Sequence, residues 1–120
     1  MTEPVRLAEK LALFSEHWHP YIVAQMDGYH VKLAKVQGEF VWHAHDDQDE
    51  LFFVRSGELT IRLRDRDLRL SEGDLFVVPK GVEHCPSAER EAAVLVLERA
   101  DTAHTGEVRS DMTVGEQEWI

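Results

Sequence analysis

Short runs of alternating apolar and polar residues occupy most of the chain after residue 20. In the clearest of them, Leu59, Ile61 and Leu63 are separated by threonine and arginine. Because successive side chains of a strand point to opposite faces, this alternation predicts a strand with one buried and one solvated face. The runs 51–54 and 75–78 are apolar at every position, which is typical of strands covered on both faces. We therefore expect a second layer over those two runs, either an N-terminal helix or a partner subunit.

Turn-forming residues separate the runs at intervals typical of an all-β barrel or sandwich. Asp27-Gly28, for example, is a two-residue signal for a hairpin. The pattern as a whole predicts an all-β domain. Its strands are expected at 21–26, 29–37, 39–45, 50–55, 58–64, 68–71, 75–79 and 92–99.

The two ends of the chain differ from this β-rich middle. Apolar residues recur at helical spacing behind Pro4, which predicts a helix over 4–14. After residue 100 the sequence is polar, but it finishes in Trp119-Ile120, and we expect this apolar pair to dock on the β-domain or on a neighbouring subunit. The predicted organisation is a helical segment at 1–20, a β-barrel domain at 21–100 and a packed C-terminal extension at 101–120.

Length and composition suit one globular domain. A chain of 120 residues forms a single core, and 43% hydrophobic with 30% charged residues is close to the globular norm. No apolar run reaches the roughly 20 residues of a membrane span, and the first residues lack the basic and apolar regions of a signal peptide. The lone Cys85 forms no internal disulfide. We therefore expect a cytoplasmic protein without membrane contact.

The balance of charges narrows the choice of partners. Asp and Glu outnumber Lys and Arg by 23 to 13, so the formal net charge is -10. Most of this surface would repel a polyanion such as DNA. Small anions are also disfavoured unless a metal or an inward basic residue offsets the field. We expect a small-molecule ligand and no nucleic acid.

His43 and His45 are the first residues that suggest chemistry. On a strand, positions i and i+2 share a face, so the two imidazoles can converge on one ion. The polar run before Glu50 is typical of a turn, and Glu50 can then supply a carboxylate from the start of the returning strand. Asp47 and Asp49 are rival ligands by residue type. We prefer Glu50 because acidic loop residues are more often solvated than coordinating.

A second segment carries another histidine. From Gly73 to Gly81 the sequence runs through a turn, an apolar strand and a second turn, and His84 follows. That order of elements can return His84 to the cavity that the first two histidines face. A His-x-His pair alone gives weak support for a metal site, whereas the two segments together predict one.

Both segments resemble the sequence motifs of the cupin superfamily, in its small single-domain "cupin 2" form. Two positions depart from the pattern: the gap between Gly38 and His43 is one residue shorter than usual, and Ala88 replaces an asparagine. Neither departure removes a ligand. The first motif is met by Gly38, His43, His45, Glu50 and Gly57, and the second by Gly73, Pro79, Gly81 and His84.

The resemblance implies a double-stranded β-helix, or jelly-roll barrel, with His43, His45, Glu50 and His84 as metal ligands facing its interior. It implies one divalent transition metal, manganese or iron by preference, although nickel, cobalt, zinc and copper suit the same ligands. Open coordination positions would allow an enzyme of dioxygenase or isomerase type that acts on a small molecule. A non-catalytic cupin that binds or senses a small ligand or a metal is the alternative. Because single-domain cupins commonly pair, a homodimer is expected.

Several further residues have no assigned role at this point. Phe52 has the same parity as the predicted carboxylate ligand, which makes it the best candidate for a cavity wall. Lys32 and Lys35 could point inward, but the sequence does not select between them and shows no separate general base. Metal binding should weaken as the histidine ligands protonate near pH 6. Four histidines lack a defensible partner spacing and are expected at the surface or in packing: His17, His19, His30 and His104.

Overall fold

The computed structural model describes residues 3–106, 110 and 112–120, which form one short helix and eight strands. The predicted terminal segments also include residues 1–2, 107–109 and 111, which lie outside the described residues. In chain order the elements are α1 Leu7–Leu11, β1 Tyr21–Met26, β2 Tyr29–Glu39, β3 Glu50–Ser56, β4 Leu59–Leu63, β5 Asp67–Leu70, β6 Leu75–Val78, β7 His84–Arg99 and β8 Glu118–Trp119.

The 16-residue strand β7 joins two groups of strands. Its first part pairs antiparallel with β4 and its second part with β3, while β2 pairs along its other side. β5 extends the β4 group, β6 extends the β3 group, and β1 and then β8 lie beyond β2. The all-β jelly-roll predicted from the sequence is confirmed. Among the described residues the sheet does not close on itself, so it is a two-layered sandwich rather than a continuous barrel.

Both groups of strands contribute side chains to a shared apolar core. Val54 of β3 and Ile61 of β4 are fully buried in it. Burial along β3 alternates, so Glu50, Phe52 and Val54 face this interior. The predictions that Glu50 begins β3 and that Phe52 shares its face are therefore confirmed.

Two strand predictions around the histidines are wrong. The predicted strand 39–45 is absent from the described residues: β2 continues to Glu39, and beyond it only a single bridge at His43 is formed. The register with β7 shifts between Val36 and Gly38, where φ is +83°, and the regular pairing with β7 ends one residue later, at Glu39. Conversely, β7 begins at 84 rather than at 92. A proline and three consecutive charged residues in 85–91 hide the strand pattern there.

The helix is shorter than predicted, because it covers Leu7–Leu11 and not 4–14. No side chain caps its first turn, and Phe14 lies beyond it, packed on the Tyr21 ring with 4.5 Å between ring centroids. No helix among the described residues has the length and apolar character that a bilayer crossing requires.

A second apolar cluster lies on the outside of β1 and β2. Leu7 and Leu11 of α1 cover it, together with Ile120, whose N–H donates to the carbonyl oxygen of Ile22 at 3.0 Å. The predicted docking of the C-terminus is thus met by Ile120, whereas Trp119 is 51% exposed.

Among the residues that the structure describes, none covers the outer faces of β3 and β6 in this way. Leu75 and Val77 of β6 are 59% and 41% exposed, and the neighbouring Leu51 and Phe53 of β3 are half-buried. The helix therefore does not supply the second layer predicted over these two strands. A partner subunit is the alternative that remains.

Candidate metal centre

Four buried side chains meet at one point of the interior. Their ligating atoms lie within 4.8 Å of one another. Two of the residues open strands β3 and β7, and the other two lie in the irregular segment between β2 and β3. They are His43, His45, Glu50 and His84, so the structure brings together all four residues that the sequence predicted.

Backbone contacts orient two of the imidazoles. His43 and His84 form an isolated antiparallel bridge with N···O distances of 3.0 and 2.9 Å. Nδ1 of His43 lies 2.9 Å from the carbonyl oxygen of Val41, and Nδ1 of His84 lies 2.9 Å from that of Val82. Because a carbonyl oxygen only accepts, each Nδ1 carries the proton and each Nε2 keeps a free lone pair. Such a contact fixes the tautomer and the ring orientation that a metal-ligating histidine needs.

Glu50 lies between two of the imidazoles. Its Oε1 is 3.3 Å from Nε2 of His84 and 3.4 Å from Nε2 of His45. Nε2 of His45 is buried and has no hydrogen-bond partner in the described part of the chain, which is costly unless another group satisfies it. Three imidazole nitrogens and one carboxylate oxygen suit a divalent first-row metal and leave positions open on an octahedral ion. These residues therefore fit the kind of metal that the sequence predicted.

Burial and neighbouring groups shift the pKa values of His43 and Glu50. Burial, together with the neighbouring His84, lowers the pKa of His43 from its usual 6.5 to about 4. Burial alone would raise the pKa of Glu50, but polar contacts with Glu98, His45 and His84 outweigh it and hold that pKa well below its usual range. His43 thus stays neutral and able to ligate below pH 6. The pH at which this residue loses its metal-binding form is lower than the sequence suggested.

The two rival carboxylates lie outside the cluster. Asp49 Oδ1 accepts a hydrogen bond from the backbone N–H of Lys80 at 2.9 Å, so it links two loops. Asp47 is exposed and lies 3.9 Å from Arg99. Both have structural explanations that need no metal.

A cavity of about 50 Å³ opens on the cluster. His43 and Glu50 form part of its wall. Most of the remaining wall is apolar and includes Phe52, as predicted, and Phe40, whose ring centroid lies 5.5 Å from that of His43. The volume admits a few water molecules or a compact ligand beside the metal ligands.

The cavity wall contains an ion pair that was not predicted from the sequence. Nζ of Lys32 lies 2.7 Å from Oε1 of Glu98, and both side chains are buried. Burial, and then the negative charge of Glu50, raise the pKa of Glu98 well above its usual range, while Lys32 opposes this shift. Inward parity along β2 and β7 was the signal that could have found the pair. Lys35, the undecided alternative, instead donates to the carbonyl oxygen of Phe14 at 2.7 Å.

His104 is a further wall residue that the sequence analysis left out of the site. Its ring centroid lies 5.0 Å from that of Phe40, and burial lowers its pKa to about 4. It lies in the polar segment after β7, where no periodic pattern marks which side chains turn inward. The other three histidines left out, His17, His19 and His30, are not part of the cavity wall.

Comparison with known proteins identifies relatives of this fold and site. The family model described as a cupin domain, Cupin_2, matches residues 29–98. A crystal structure of a cupin-2 domain containing protein from Shewanella frigidimarina NCIMB 400 is 45% identical, with a TM-score of 0.79, and the match covers 79% of this chain and 93% of that one. Protein YdbB of Bacillus subtilis is 38% identical over 65 residues, which are 53% of this chain and 58% of YdbB.

A more distant similarity is to a named enzyme. The 3-hydroxyanthranilate 3,4-dioxygenase of Xanthomonas campestris pv. campestris is 27% identical over 84 residues, which cover 67% of this chain and 48% of the enzyme. The chain spans about half the length of the curated relatives it matches. Since the family model covers more than half of the residues and a solved cupin-2 protein is 45% identical, the chain belongs to the cupin family.

Proposed function

We propose that this cupin is a metal-dependent enzyme of dioxygenase type that acts on a small molecule. The observation that carries the proposal is the position of the cavity, because His43 and Glu50 belong both to the ligand cluster and to the cavity wall. A molecule in the cavity would therefore reach the open positions of a metal held by His43, His45, Glu50 and His84. The metal would supply Lewis acidity and bind oxygen atoms there.

The donor set accommodates manganese and iron, the two divalent transition metals that the family resemblance favours. Imidazole nitrogen with one carboxylate oxygen suits both, and open positions are what an oxygen-using site requires. The similarity to a protein named as a dioxygenase supports oxygen chemistry over isomerisation. The chain's own residues would exclude water and orient the ligand, since the cavity is small and mostly apolar.

Metal analysis of protein purified without chelator tests the site. We expect about one metal per chain in the wild type, and loss of most of it in His84→Ala, because a three-ligand site with an unpaired Glu50 binds far more weakly. Asp47→Asn is the matched control, since it neutralises an exposed carboxylate in the adjacent loop. Full metal content in His84→Ala would show that His84 is not a ligand and that the proposed four-ligand site is wrong.

Turnover tests the enzyme assignment separately. The metal-loaded protein is offered compact hydroxylated and carboxylated compounds while oxygen consumption and isomerised products are followed. We expect oxygen uptake that disappears in His84→Ala. A fully loaded protein that consumes no oxygen and converts no compound would instead support the non-catalytic alternative, a cupin that binds or senses a small ligand.

We also propose that two copies of the chain pair through the outer faces of β3 and β6. Leu75 and Val77 are more exposed there than apolar side chains in a finished layer, with Leu51 and Phe53 beside them. The adjacent part of the same sheet is already covered by α1 and Ile120. A second copy would complete the layer, and a light-scattering mass equal to one chain would exclude this pairing.

A further inference from the structure

The segment 101–106 brings a histidine to the metal cavity from outside the family domain. The Cupin_2 match ends at residue 98, and His104 follows it by a short irregular stretch. His104 nevertheless lies in the same cavity wall as the metal ligands His43 and Glu50. Its ring packs against Phe40, which in turn stacks on Trp18 at 4.7 Å between ring centroids.

This segment is fitted closely to the loop that carries two of the ligands. Gly106 has φ +63°, and a Cβ added there would lie 2.2 Å from the carbonyl oxygen of Ala44, between His43 and His45. Such a distance excludes any side chain at this position without movement of the backbone. Nearby, the hydroxyl of Thr102 donates to Oε1 of Gln48 at 2.6 Å. His104 is therefore held in place by its neighbours on both sides.

The tautomer of His104 is fixed as well. Its Nδ1 accepts a hydrogen bond from the backbone N–H of Val114 at 2.9 Å. A neutral imidazole carries one proton, so Nε2 is the nitrogen that bears it. Nε2 has no hydrogen-bond partner in the ranges 3–106 and 112–120. The ring thus presents one oriented, unused N–H donor from the cavity wall.

The charges around the cavity indicate which kind of ligand the Nε2–H of His104 would bind. The buried ammonium of Lys32 lies 2.7 Å from Glu98, whose pKa is raised by burial and by Glu50, so this pair carries no net negative charge. Glu50 offsets half of the charge of a divalent metal, and the histidine ligands are neutral. The loaded interior is then cationic inside a chain whose formal charge is -10, and a small anion would neutralise it.

We propose that His104 recognises a carboxylate oxygen of a compact organic acid whose other oxygen atoms bind the metal. The inference rests on the proposed metal function and specifies its ligand. Lys32 cannot take this role without leaving Glu98 buried and unpaired, whereas Nε2–H of His104 is free to donate. The small volume of the cavity restricts the acid to a few carbon atoms.

Glycolate is the probe, because it can chelate through its hydroxyl and one carboxylate oxygen and still offer the other carboxylate oxygen. Ethylene glycol has the same two carbon atoms and can chelate but has no carboxylate, and it serves as the neutral probe. Both are titrated into the Co²⁺-loaded full chain, and binding is read from the visible absorption of cobalt. The variants are His104→Phe, His104→Gln and the control His17→Phe, whose histidine lies outside the cavity and contacts Glu91.

We expect His104→Phe to weaken glycolate binding about tenfold or more, the effect of losing one hydrogen bond to a charged group. Cobalt content and ethylene glycol binding should not change. His104→Gln should recover part of the affinity because its amide N–H lies near the position of Nε2, and His17→Phe should equal the wild type.

Four results would overturn the inference, and each has a different signature. Equal glycolate affinity in the wild type and His104→Phe removes His104 from recognition, as does a loaded wild type that binds no glycolate. Loss of cobalt from His104→Phe or His104→Gln shows that the residue supports the metal site instead. A wild type that takes up no cobalt refutes the proposed metal function itself, and this inference with it.

Discussion

The two faces of strand β3 carry neighbouring phenylalanines with different surroundings. Phe52 points inward, is 7% exposed and lies 6.2 Å from the ring of His84 between centroids. Phe53 points outward, half-buried beside the exposed Leu75 of β6. Both faces are apolar in sequence, but only the inner face lies beside the candidate metal cluster. Apolar character on both faces therefore identifies a strand between two layers, and only the structure shows which layer belongs to the chain itself.

The largest expected effect comes from truncating the inner phenylalanine. Phe52→Ala should lower the free energy of unfolding by about 3 kcal/mol, because a buried aromatic side chain leaves a cavity beside an existing one. Phe53→Ala is the matched control and should cost about 1 kcal/mol or less, as expected for a partly exposed side chain. Urea unfolding of the metal-free protein measures both. Equal losses would mean that the two faces are buried alike in solution.

An effect of similar size on stability is expected from acid, again through the inner face. The pKa of His43 is about 4 in the folded protein and near 6.5 when unfolded, so between these values the unfolded chain binds the extra proton. The metal-free protein should thus lose stability as the pH falls from 6.5 to 4, on the order of 3 kcal/mol in total for this group.

The contribution of His43 is isolated by comparison with His43→Asn. Glu98 has a raised pKa and acts in the opposite direction, so the difference between the two proteins is the quantity to measure. A wild-type protein whose stability relative to His43→Asn does not vary over this range would contradict the assignment.

The smallest effect on the free energy of unfolding is expected at the outer face of β6. A substitution there should have its main effect on the mass of the assembly in solution. Val77→Lys places a charge on the exposed part of β6 and should change the free energy of unfolding of one chain by about 0.5 kcal/mol or less. It should nevertheless shift the light-scattering mass from two chains to one, since a charge in an apolar interface is unpaired. Val31→Lys would instead destabilise the chain, because Val31 packs against the second apolar cluster, which α1 covers.

The fold and the meeting of four buried polar side chains could both be predicted from the sequence, because both depend on local pattern. Strand alternation and turn residues fixed the all-β architecture, and two motifs with their spacing selected His43, His45, Glu50 and His84. The strand assignment at 39–45 was nevertheless wrong, because the pairing with β7 shifts register before Gly38 and ends at Glu39. The ligands converge there through a bridge and two loops rather than through one regular strand.

The missed residues depend on contacts between distant segments. Lys32 and Glu98 are 66 positions apart, and only the pairing of β2 with β7 makes them partners. His104 lies where the sequence is polar and aperiodic, so its direction is set by Gly106 and Val114 rather than by a repeating pattern. Strand parity could have indicated that Lys32 and Glu98 point inward. No local sequence pattern indicates the direction of His104.

The walls of the cavity have two origins, and this division bears on how the protein can diversify. The four residues of the candidate metal cluster lie within the matched family domain, whereas Trp18 and His104 come from the segments on either side of it. Exchange of those terminal segments between relatives would alter the shape of the cavity while leaving the cluster unchanged. Similarity within residues 29–98 therefore bears on the proposed metal site more than on the molecule that the cavity would bind.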